Sequence, residues 1–287
     1  MAGLPDPRYP VGGSAIDPRL ARQLRGYARL DDPPRRVKPI PVPILHAAYA
    51  IAAAAGDDES LATADMMWLA FFFLLRPGEY TKPTEDTHPF RIQDVRLHVC
   101  GGAMDYRTAT STQLDAIDFV GLEFTTQKNG VRGEVVGHGL SGHPTACPVK
   151  LVIRRLAYLR SIGAPNDTFL CAYRKGGSAA LTLLAARTLT KLLRQATLTL
   201  GASMGLAASE ICAKSLRASG AMALLNRQVD RDTIQLVGRW KSDAMLCYLH
   251  IQAHGIMARY SSIMLLGGEY ALIPTDAESP LPVLETP

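Results

Sequence analysis

Residues 120–136 read VGLEFTTQKNGVRGEVV, and this stretch defines the β part of the predicted fold. Apolar residues alternate with other residues along its first half, at Val120, Leu122 and Phe124. This period of two is typical of a strand that buries one face. Asn129-Gly130 follows, and this dipeptide favours the positive φ angles of a two-residue hairpin turn. The stretch therefore predicts an antiparallel hairpin, with Lys128 at its turn.

A further strand is predicted upstream, because Val95, Leu97 and Val99 alternate with polar or charged residues. We therefore expect a small three-stranded antiparallel sheet. Its strands lie near residues 95–100, 117–127 and 131–137.

Helical patterns surround the sheet. A first helix is expected near residues 17–29, a second begins near Pro43, and a third covers about 60–75 and stops at Arg76 before Pro77. The helices expected after the sheet cover residues 148–162, 178–200, 207–227, 230–237 and 242–265. Asp230 is suited to capping the helix at 230–237, and Gly238 to ending it. Ser242 is suited to capping the helix at 242–265. The fold class predicted is α+β and mostly helical.

Composition indicates a soluble intracellular protein. The 287 residues carry 31 Lys+Arg against 26 Asp+Glu, a mild excess that suits a polyanionic partner without requiring one. Five scattered cysteines form no CxxC pair, which is typical of buried thiols in a reducing compartment. The most apolar run, at residues 66–75, is too short to span a bilayer. We therefore expect no membrane partner.

Several familiar site motifs are excluded. GHGLSG at residues 137–142 matches a dinucleotide-binding pattern, but HPTACP follows it, so no helix begins where a pyrophosphate would sit. His138, His143 and Cys147 have loosely metal-like spacing without a fourth ligand nearby, and a surface loop is the favoured interpretation. The chain contains no paired-carboxylate site, phosphate-binding Walker loop or GxSxG nucleophile elbow.

What remains is an ordered set of cations and one tyrosine. Arg76 lies in LLRPGEY, Lys128 in the hairpin, and Lys214 and Arg217 in AKSLRASGAMALL. The segment GRWKSDAMLCYLH, at residues 238–250, follows them and contains Tyr248. Each cation taken alone has a structural interpretation, as a cap, a turn residue or a surface ion pair.

Taken together and in this order, the segments resemble the catalytic domain of the tyrosine recombinase (phage integrase) family. QKNGVRGE and GRWKSDA are most similar to the variant found in eukaryotic mobile elements of the DIRS and Crypton types. The resemblance covers about residues 37–265 and implies the DNA breaking–rejoining fold. It implies a catalytic domain at 37–268, a flexible tail at 269–287, and a linker or remnant of an N-terminal core-binding domain at 1–36.

The resemblance also implies a mechanism. Tyr248 would attack a DNA phosphate to give a 3′-phosphotyrosyl link, and Lys128 would give a proton to the leaving 5′-oxygen. Arg76 and Arg217 would bind the non-bridging oxygens, so no metal or ATP is expected as a cofactor. Lys214 stands where the family usually has histidine, and Trp240 replaces the second histidine. The spacing leaves open whether Arg239 or Trp240 fills that second position.

The partner implied is double-stranded DNA, held by a homotetramer on two duplexes, in the nucleus if the host is eukaryotic and in the cytoplasm if it is bacterial. Arg239, Lys241 and His250 are further candidates for DNA contact. Basic helix residues suit either a DNA-facing surface or a solvated face; they are Arg154, Arg155, Arg160, Arg187, Lys191 and Arg194.

Other interpretations remain open at this point. Tyr260 is a rival nucleophile, although it lacks the cationic segment that precedes Tyr248. Glu79 is expected to brace an arginine or to cap local backbone. Two other interpretations of the chain are a catalytically inactive DNA-binding remnant of such an enzyme and a helical interaction protein unrelated to DNA. The short N-terminal region fits either a fragment of a longer protein or a minimal clamp around DNA.

Overall fold

The computed structural model describes residues 16–27, 37–84, 87–125, 133–176 and 178–240. The chain divides into two compact units, residues 1–36 and 37–287. In the first unit, helix α1 spans Pro18–Tyr27, close to the range expected from the sequence. Asp17 caps its first turn by accepting a hydrogen bond from the Arg19 N–H over 2.8 Å.

The main sheet of the second unit has four antiparallel strands in the order β2-β1-β3-β4. Their bounds are β1 Val95–Val99, β2 Gly102–Met104, β3 Phe119–Phe124 and β4 Glu134–Gly139. The alternating residues of β3 are buried, as the sequence predicts. Phe124 pairs with Glu134, so β3 and β4 have the register of a hairpin on either side of residues 126–132, which lie outside the described residues.

The prediction of a three-stranded sheet was wrong by one strand. Cys100 and Gly101 take φ angles of 47° and 83°, and this tight turn brings β2 against β1. A second sheet pairs β5, Ala172–Arg174, with β6, Leu181–Leu183. Strands of three residues are too short to show a reliable period, so their pairing is visible only in the folded chain.

Helices form the rest of the described unit. They are α2 Val42–Ala55, α3 Asp58–Phe72, α4 Pro77–Tyr80, α5 Ser111–Asp115, α6 Pro148–Ser161, α7 Ala186–Leu200, α8 Ser215–Asn226 and α9 Arg231–Gly238. Helix α3 lies at the centre, because nearly all of its residues from Ala62 to Phe71 are buried. It packs against α2, α6 and α8. The structure is therefore α+β and mostly helical, as predicted.

Three helix boundaries differ from the sequence predictions. Helix α7 begins at Ala186 because the residues before it form β6, and α8 begins at Ser215 because residues 208–210 form a separate 3₁₀ turn. Helix α3 ends at Phe72, before the expected Arg76, because Leu74 takes a left-handed φ of 50°. The predicted helix at 242–265 lies outside the described residues.

The end of α9 also differs from the prediction. Asp230 caps its start as expected, accepting from the Thr233 N–H over 2.8 Å. Gly238, however, belongs to the helix, and Arg239 takes the left-handed cap position with a φ of 57°. Within the described residues, no helix is both long enough and apolar enough to cross a membrane.

Candidate functional site

The turn that follows α3 forms the floor of the candidate site. After the left-handed Leu74, the chain turns sharply and Arg76 becomes the N-terminal cap residue of the short helix α4. The Glu79 carboxylate accepts from the backbone N–H of Arg76 over 2.8 Å and from its guanidinium Nη1 over 3.2 Å. Glu79 thus caps local backbone and braces an arginine, as the sequence predicts. The Arg76 side chain remains 30% exposed.

Arg217 reaches this turn from α8. Its Nη1 donates to the Leu74 carbonyl oxygen over 2.6 Å, across 143 residues of sequence, and its Nη2 donates to the Gly238 carbonyl oxygen. The guanidinium carbon lies 4.2 Å from the centre of the Trp240 ring, a cation–π distance. Arg217 is only 2% exposed, so in this geometry its terminal nitrogens bind backbone carbonyls rather than facing open solvent.

Arg239 approaches the same turn from the end of α9. Its Nη1 donates to the carbonyl oxygens of Phe73 and Val237, over 3.2 and 2.9 Å. Its Nη2 lies 3.2 Å from the Leu74 carbonyl oxygen and 3.4 Å from Glu79 Oε2. Burial lowers the pKa of Arg239 to about 10, and the Glu79 carboxylate opposes this lowering. The guanidinium therefore stays charged at neutral pH.

Trp240 folds back over the C-terminal end of α9. Its backbone N–H donates to the Gln235 carbonyl oxygen over 3.0 Å, and the Gln235 side-chain amide donates to the Trp240 carbonyl oxygen over 3.1 Å. A Cβ atom at Gly238 would lie only 1.5 Å from the indole ring. Gly238 is therefore required for close ring packing rather than for an unusual φ angle.

A second glycine lets α8 approach α3. A Cβ atom at Gly220 would lie 2.2 Å from the Phe71 carbonyl oxygen and 2.3 Å from Leu74 Cδ2. This close contact brings Arg217, one turn earlier in α8, within reach of the Leu74 carbonyl. Leu74 itself packs with Trp240 in a small apolar cluster beneath the guanidinium groups.

The structure brings together four of the residues that the sequence singled out: Arg76, Arg217, Arg239 and Trp240. Glu79 pairs with Arg76 and Arg239, whereas Arg217 donates to backbone carbonyls, and Arg76 is the most exposed of the three arginines. Lys214 is exposed and occupies the N-terminal cap position of α8. Lys128, Lys241, Tyr248, His250 and the rival Tyr260 lie outside the described residues.

Sequence reasoning missed two contributors to the cluster. Phe124, the last residue of β3, has its ring centre 3.8 Å from the Arg239 guanidinium carbon. The Leu74 carbonyl accepts hydrogen bonds from both Arg217 and Arg239. A backbone carbonyl has no side-chain signature, and Phe124 is indistinguishable by pattern from the other buried residues of its strand.

The basic helix residues separate into two groups. Arg155 is 2% exposed and donates to the Leu170 and Ala172 carbonyl oxygens, so its assignment to a DNA-facing surface is corrected. Arg154 pairs with the buried Asp65, and Arg160 donates to the Ala109 carbonyl oxygen. Arg187, Lys191 and Arg194 are exposed along one face of α7, although the Nε of Arg194 donates to the Ile211 carbonyl oxygen over 2.9 Å.

The three residues with metal-like spacing, His138, His143 and Cys147, make structural contacts. His143 is exposed, and its Nδ1 accepts from the backbone N–H groups of Thr145 and Ala146 over 3.2 and 3.1 Å. The His138 ring packs edge-on against Phe73, with 4.7 Å between ring centres, whereas Cys147 is buried at the start of α6. The surface-loop interpretation therefore holds for His143, but it is wrong for His138, which lies in β4, and for the buried Cys147. The described residues contain no cluster of three or more His, Cys, Asp and Glu side chains suited to a metal ion.

Comparison with protein-family models and with curated proteins finds no match to this chain. What the chain does is therefore inferred from its own residues and their geometry.

Proposed function

We propose that this protein is a site-specific DNA recombinase from a mobile element, and that it cleaves and rejoins DNA strands through Tyr248. The observation that carries the proposal is the convergence of Arg76, Arg217, Arg239 and Trp240 on the turn after α3. These residues belong to three separate motifs of the resemblance to tyrosine recombinases. A set of unrelated cations would have no reason to meet at one turn.

The reaction proceeds by two exchanges of one phosphodiester bond. The Tyr248 phenol loses its proton to water as its oxygen attacks phosphorus, the bond to the 5′-oxygen breaks, and Lys128 gives that oxygen a proton. A 5′-hydroxyl then attacks the 3′-phosphotyrosyl link, releases the tyrosine and restores a phosphodiester. The number of phosphoester bonds is unchanged, so the exchange requires no ATP.

Stabilisation of the pentavalent phosphorus comes from the cationic cluster. Fixed donors aimed at developing charge are each worth on the order of 10²–10³ in rate. Arg76 is the guanidinium that contacts phosphate, since its side chain is 30% exposed while Arg217 and Arg239 are buried. The Nη1 and Nη2 of Arg217 donate to the Leu74 and Gly238 carbonyls, so Arg217 is the more deeply buried partner of Arg76 in the cluster. Lys214, exposed at the start of α8, supplies further charge.

Double-stranded DNA is the proposed substrate, and a homotetramer on two duplexes is the proposed assembly. The exposed cations along α7, Arg187, Lys191 and Arg194, fit a surface that meets the phosphate backbone. Lys241 and His250 are proposed as further DNA contacts. Such an enzyme acts where DNA is found, in the nucleus of a eukaryote or the cytoplasm of a bacterium.

Trapping of the covalent intermediate tests the proposal. The protein is incubated with a library of nicked duplexes of varied sequence, in which a short 5′-hydroxyl fragment diffuses away after cleavage. Denaturing gels then detect protein joined to DNA. We expect an adduct that forms in chelator, without ATP, and that disappears in Tyr248→Phe but persists in Tyr260→Phe. An adduct lost only in Tyr260→Phe would move the nucleophile, and no adduct across the library would overturn the proposal.

A second candidate function is a catalytically inactive DNA-binding remnant. The specific observation in its favour is that the guanidiniums of Arg217 and Arg239 already donate to backbone carbonyls. In such a remnant, these arginines stabilise the fold and do not stabilise a transition state. This hypothesis predicts DNA binding that weakens steeply with salt, no adduct with any substrate, and DNA binding by Tyr248→Phe equal to that of the wild type.

A further inference from the structure

Arg239 occupies a backbone position that normally belongs to glycine. Its φ of 57° at the end of α9 is in the left-handed region, where a side chain is disfavoured. Gly238 directly precedes it, so a shift of one residue would have placed glycine at this position. A strained backbone conformation persists where contacts with the surrounding structure hold it in place. At Arg239 the contacts of the side chain do this.

The first set of contacts binds Arg239 to the turn that carries Arg76. The guanidinium donates to the carbonyls of Phe73 and Leu74 and pairs with Glu79, which in turn holds both the backbone and the guanidinium of Arg76. The side chains of Arg239 and Glu79 are 2% and 9% exposed, so water screens this pair weakly. Arg239 therefore acts on Arg76 through one shared carboxylate.

The second contact binds Arg239 to the end of β3. The Phe124 ring lies under the guanidinium, and Phe124 is fixed on its other side by an edge-on contact with Phe90, with 4.8 Å between ring centres. In sequence, Phe124 stands four residues before Lys128. The backbone of Arg239 continues directly into Trp240 and, eight residues later, Tyr248. One buried side chain thus joins three described segments, namely the turn that carries Arg76, the end of β3 and the end of α9.

We infer that Arg239 is a positioning residue, which holds these three segments in register without itself touching the scissile phosphate. The inference rests on the proposed function and deepens it. It also replaces the alternative in which Arg239 faces DNA, because a side chain enclosed by three carbonyls, a carboxylate and an aromatic ring has no open face for a phosphate. The remaining candidate for the second histidine position is Trp240.

Two substitutions at Arg239 distinguish the effect of the guanidinium from that of the left-handed backbone conformation. Arg239→Gly removes the side chain and leaves a residue that favours the observed φ angle, so backbone strain is not the cause of any defect. Arg239→Lys keeps the charge but cannot donate to several carbonyls and one carboxylate at once. The control is Arg155→Lys, because Arg155 is equally buried and also donates to two carbonyls, yet it touches none of the site residues.

The first measurement is the single-turnover rate of adduct formation at saturating protein, together with the Kd for DNA. We expect both Arg239 variants to cleave about 100-fold more slowly, as a displacement of about 1 Å can cause, with little change in Kd. Added guanidinium, at concentrations that leave the wild type folded, should restore part of the rate in Arg239→Gly. Arg155→Lys should cleave at nearly the wild-type rate. Equal losses in Arg155→Lys and Arg239→Lys would overturn the inference.

The second measurement does not depend on activity. Amide hydrogen exchange should speed up at residues 73–80 in Arg239→Gly and stay unchanged there in Arg155→Lys. If the wild type forms no Tyr248-dependent adduct, the proposed function fails, and this exchange measurement still decides whether Arg239 holds the turn. Unchanged exchange at residues 73–80 would overturn the positioning role whatever the adduct assay shows.

Discussion

The guanidinium groups of Arg217 and Arg239 donate to the same acceptor, the carbonyl oxygen of Leu74, over 2.6 and 3.2 Å. Two buried cations that share one acceptor repel each other strongly where water is excluded. The arrangement is stabilised by further carbonyl dipoles and by the Glu79 carboxylate, which contacts Arg76 and Arg239. Removing the Glu79 carboxylate should therefore lower the free energy of unfolding more than removing a carboxylate from a surface ion pair.

Glu79→Gln should destabilise the fold by about 3 kcal/mol, because it leaves buried arginine charge uncompensated while preserving side-chain shape. Glu123→Gln is the matched control, since Glu123 pairs with Arg96 in an exposed bridge whose side chains are 25% and 44% exposed. The control should lose no more than about 1 kcal/mol. Urea unfolding measures both, and equal losses would contradict the prediction.

Arg76→Lys should separate function from stability. The Arg76 side chain is 30% exposed and has one guanidinium hydrogen bond to Glu79, so the free energy of unfolding should fall by less than about 1 kcal/mol. The rate of adduct formation should fall roughly 10²–10³-fold, since lysine cannot replace a fork of donors aimed at the phosphate.

Arg217→Lys is the comparison for stability, because it loses the hydrogen bonds to two buried carbonyls and the stacking on Trp240. It should lose more stability than Arg76→Lys when both are unfolded in urea. An Arg76→Lys variant that cleaves at the wild-type rate would remove Arg76 from the proposed mechanism.

Gly220→Ala should push α8 away from α3 and with it Arg217. The added methyl would lie 2.2 Å from a backbone carbonyl oxygen, which cannot rotate away as a side chain would. We expect a loss of about 1–3 kcal/mol in stability and slower adduct formation. Gly139→Ala is the control, because its methyl would meet its nearest neighbour at 3.6 Å, an ordinary contact, and should change stability by no more than about 0.5 kcal/mol.

Stability should decrease as the pH falls below about 6.5, the usual pKa of histidine. Burial lowers the pKa of His138 and also that of His46, which faces the ring of His143. A histidine whose pKa is lowered in the fold binds its proton more readily in the unfolded chain. Its contribution to stability is therefore present above the unfolded pKa and is lost as the pH falls through the folded one.

His138→Phe, which keeps a ring against Phe73, should weaken this pH dependence without abolishing it, because His46 remains. Urea midpoints measured at roughly pH 7.5 and 5.5 give the comparison. An NMR titration in which the His138 ring protonates at or above the usual value would contradict the prediction.

The fold class and many element positions could be predicted from local pattern. Helix α6 covers Pro148–Ser161 where 148–162 was expected, and Asp230 caps α9 through the Thr233 N–H. Period, proline position and capping residues are local signals, and these elements are correct because the signals require no distant partner. Strands β2, β5 and β6 were missed because three residues form a strand only when another strand lies beside them.

The sequence by itself determined which residues are candidates for chemistry and in what order they occur, because arginine, lysine and tyrosine side chains are recognisable at their motif spacing. Only the tertiary structure decided which arginines are buried. Arg76, Arg217 and Arg239 have the same side chain, yet one is 30% exposed and two donate to carbonyls of the turn after α3. That difference depends on the close approach of α8 at Gly220 and on the left-handed φ of Arg239. Neither has a local signal, since burial is set by elements that are far apart in the chain.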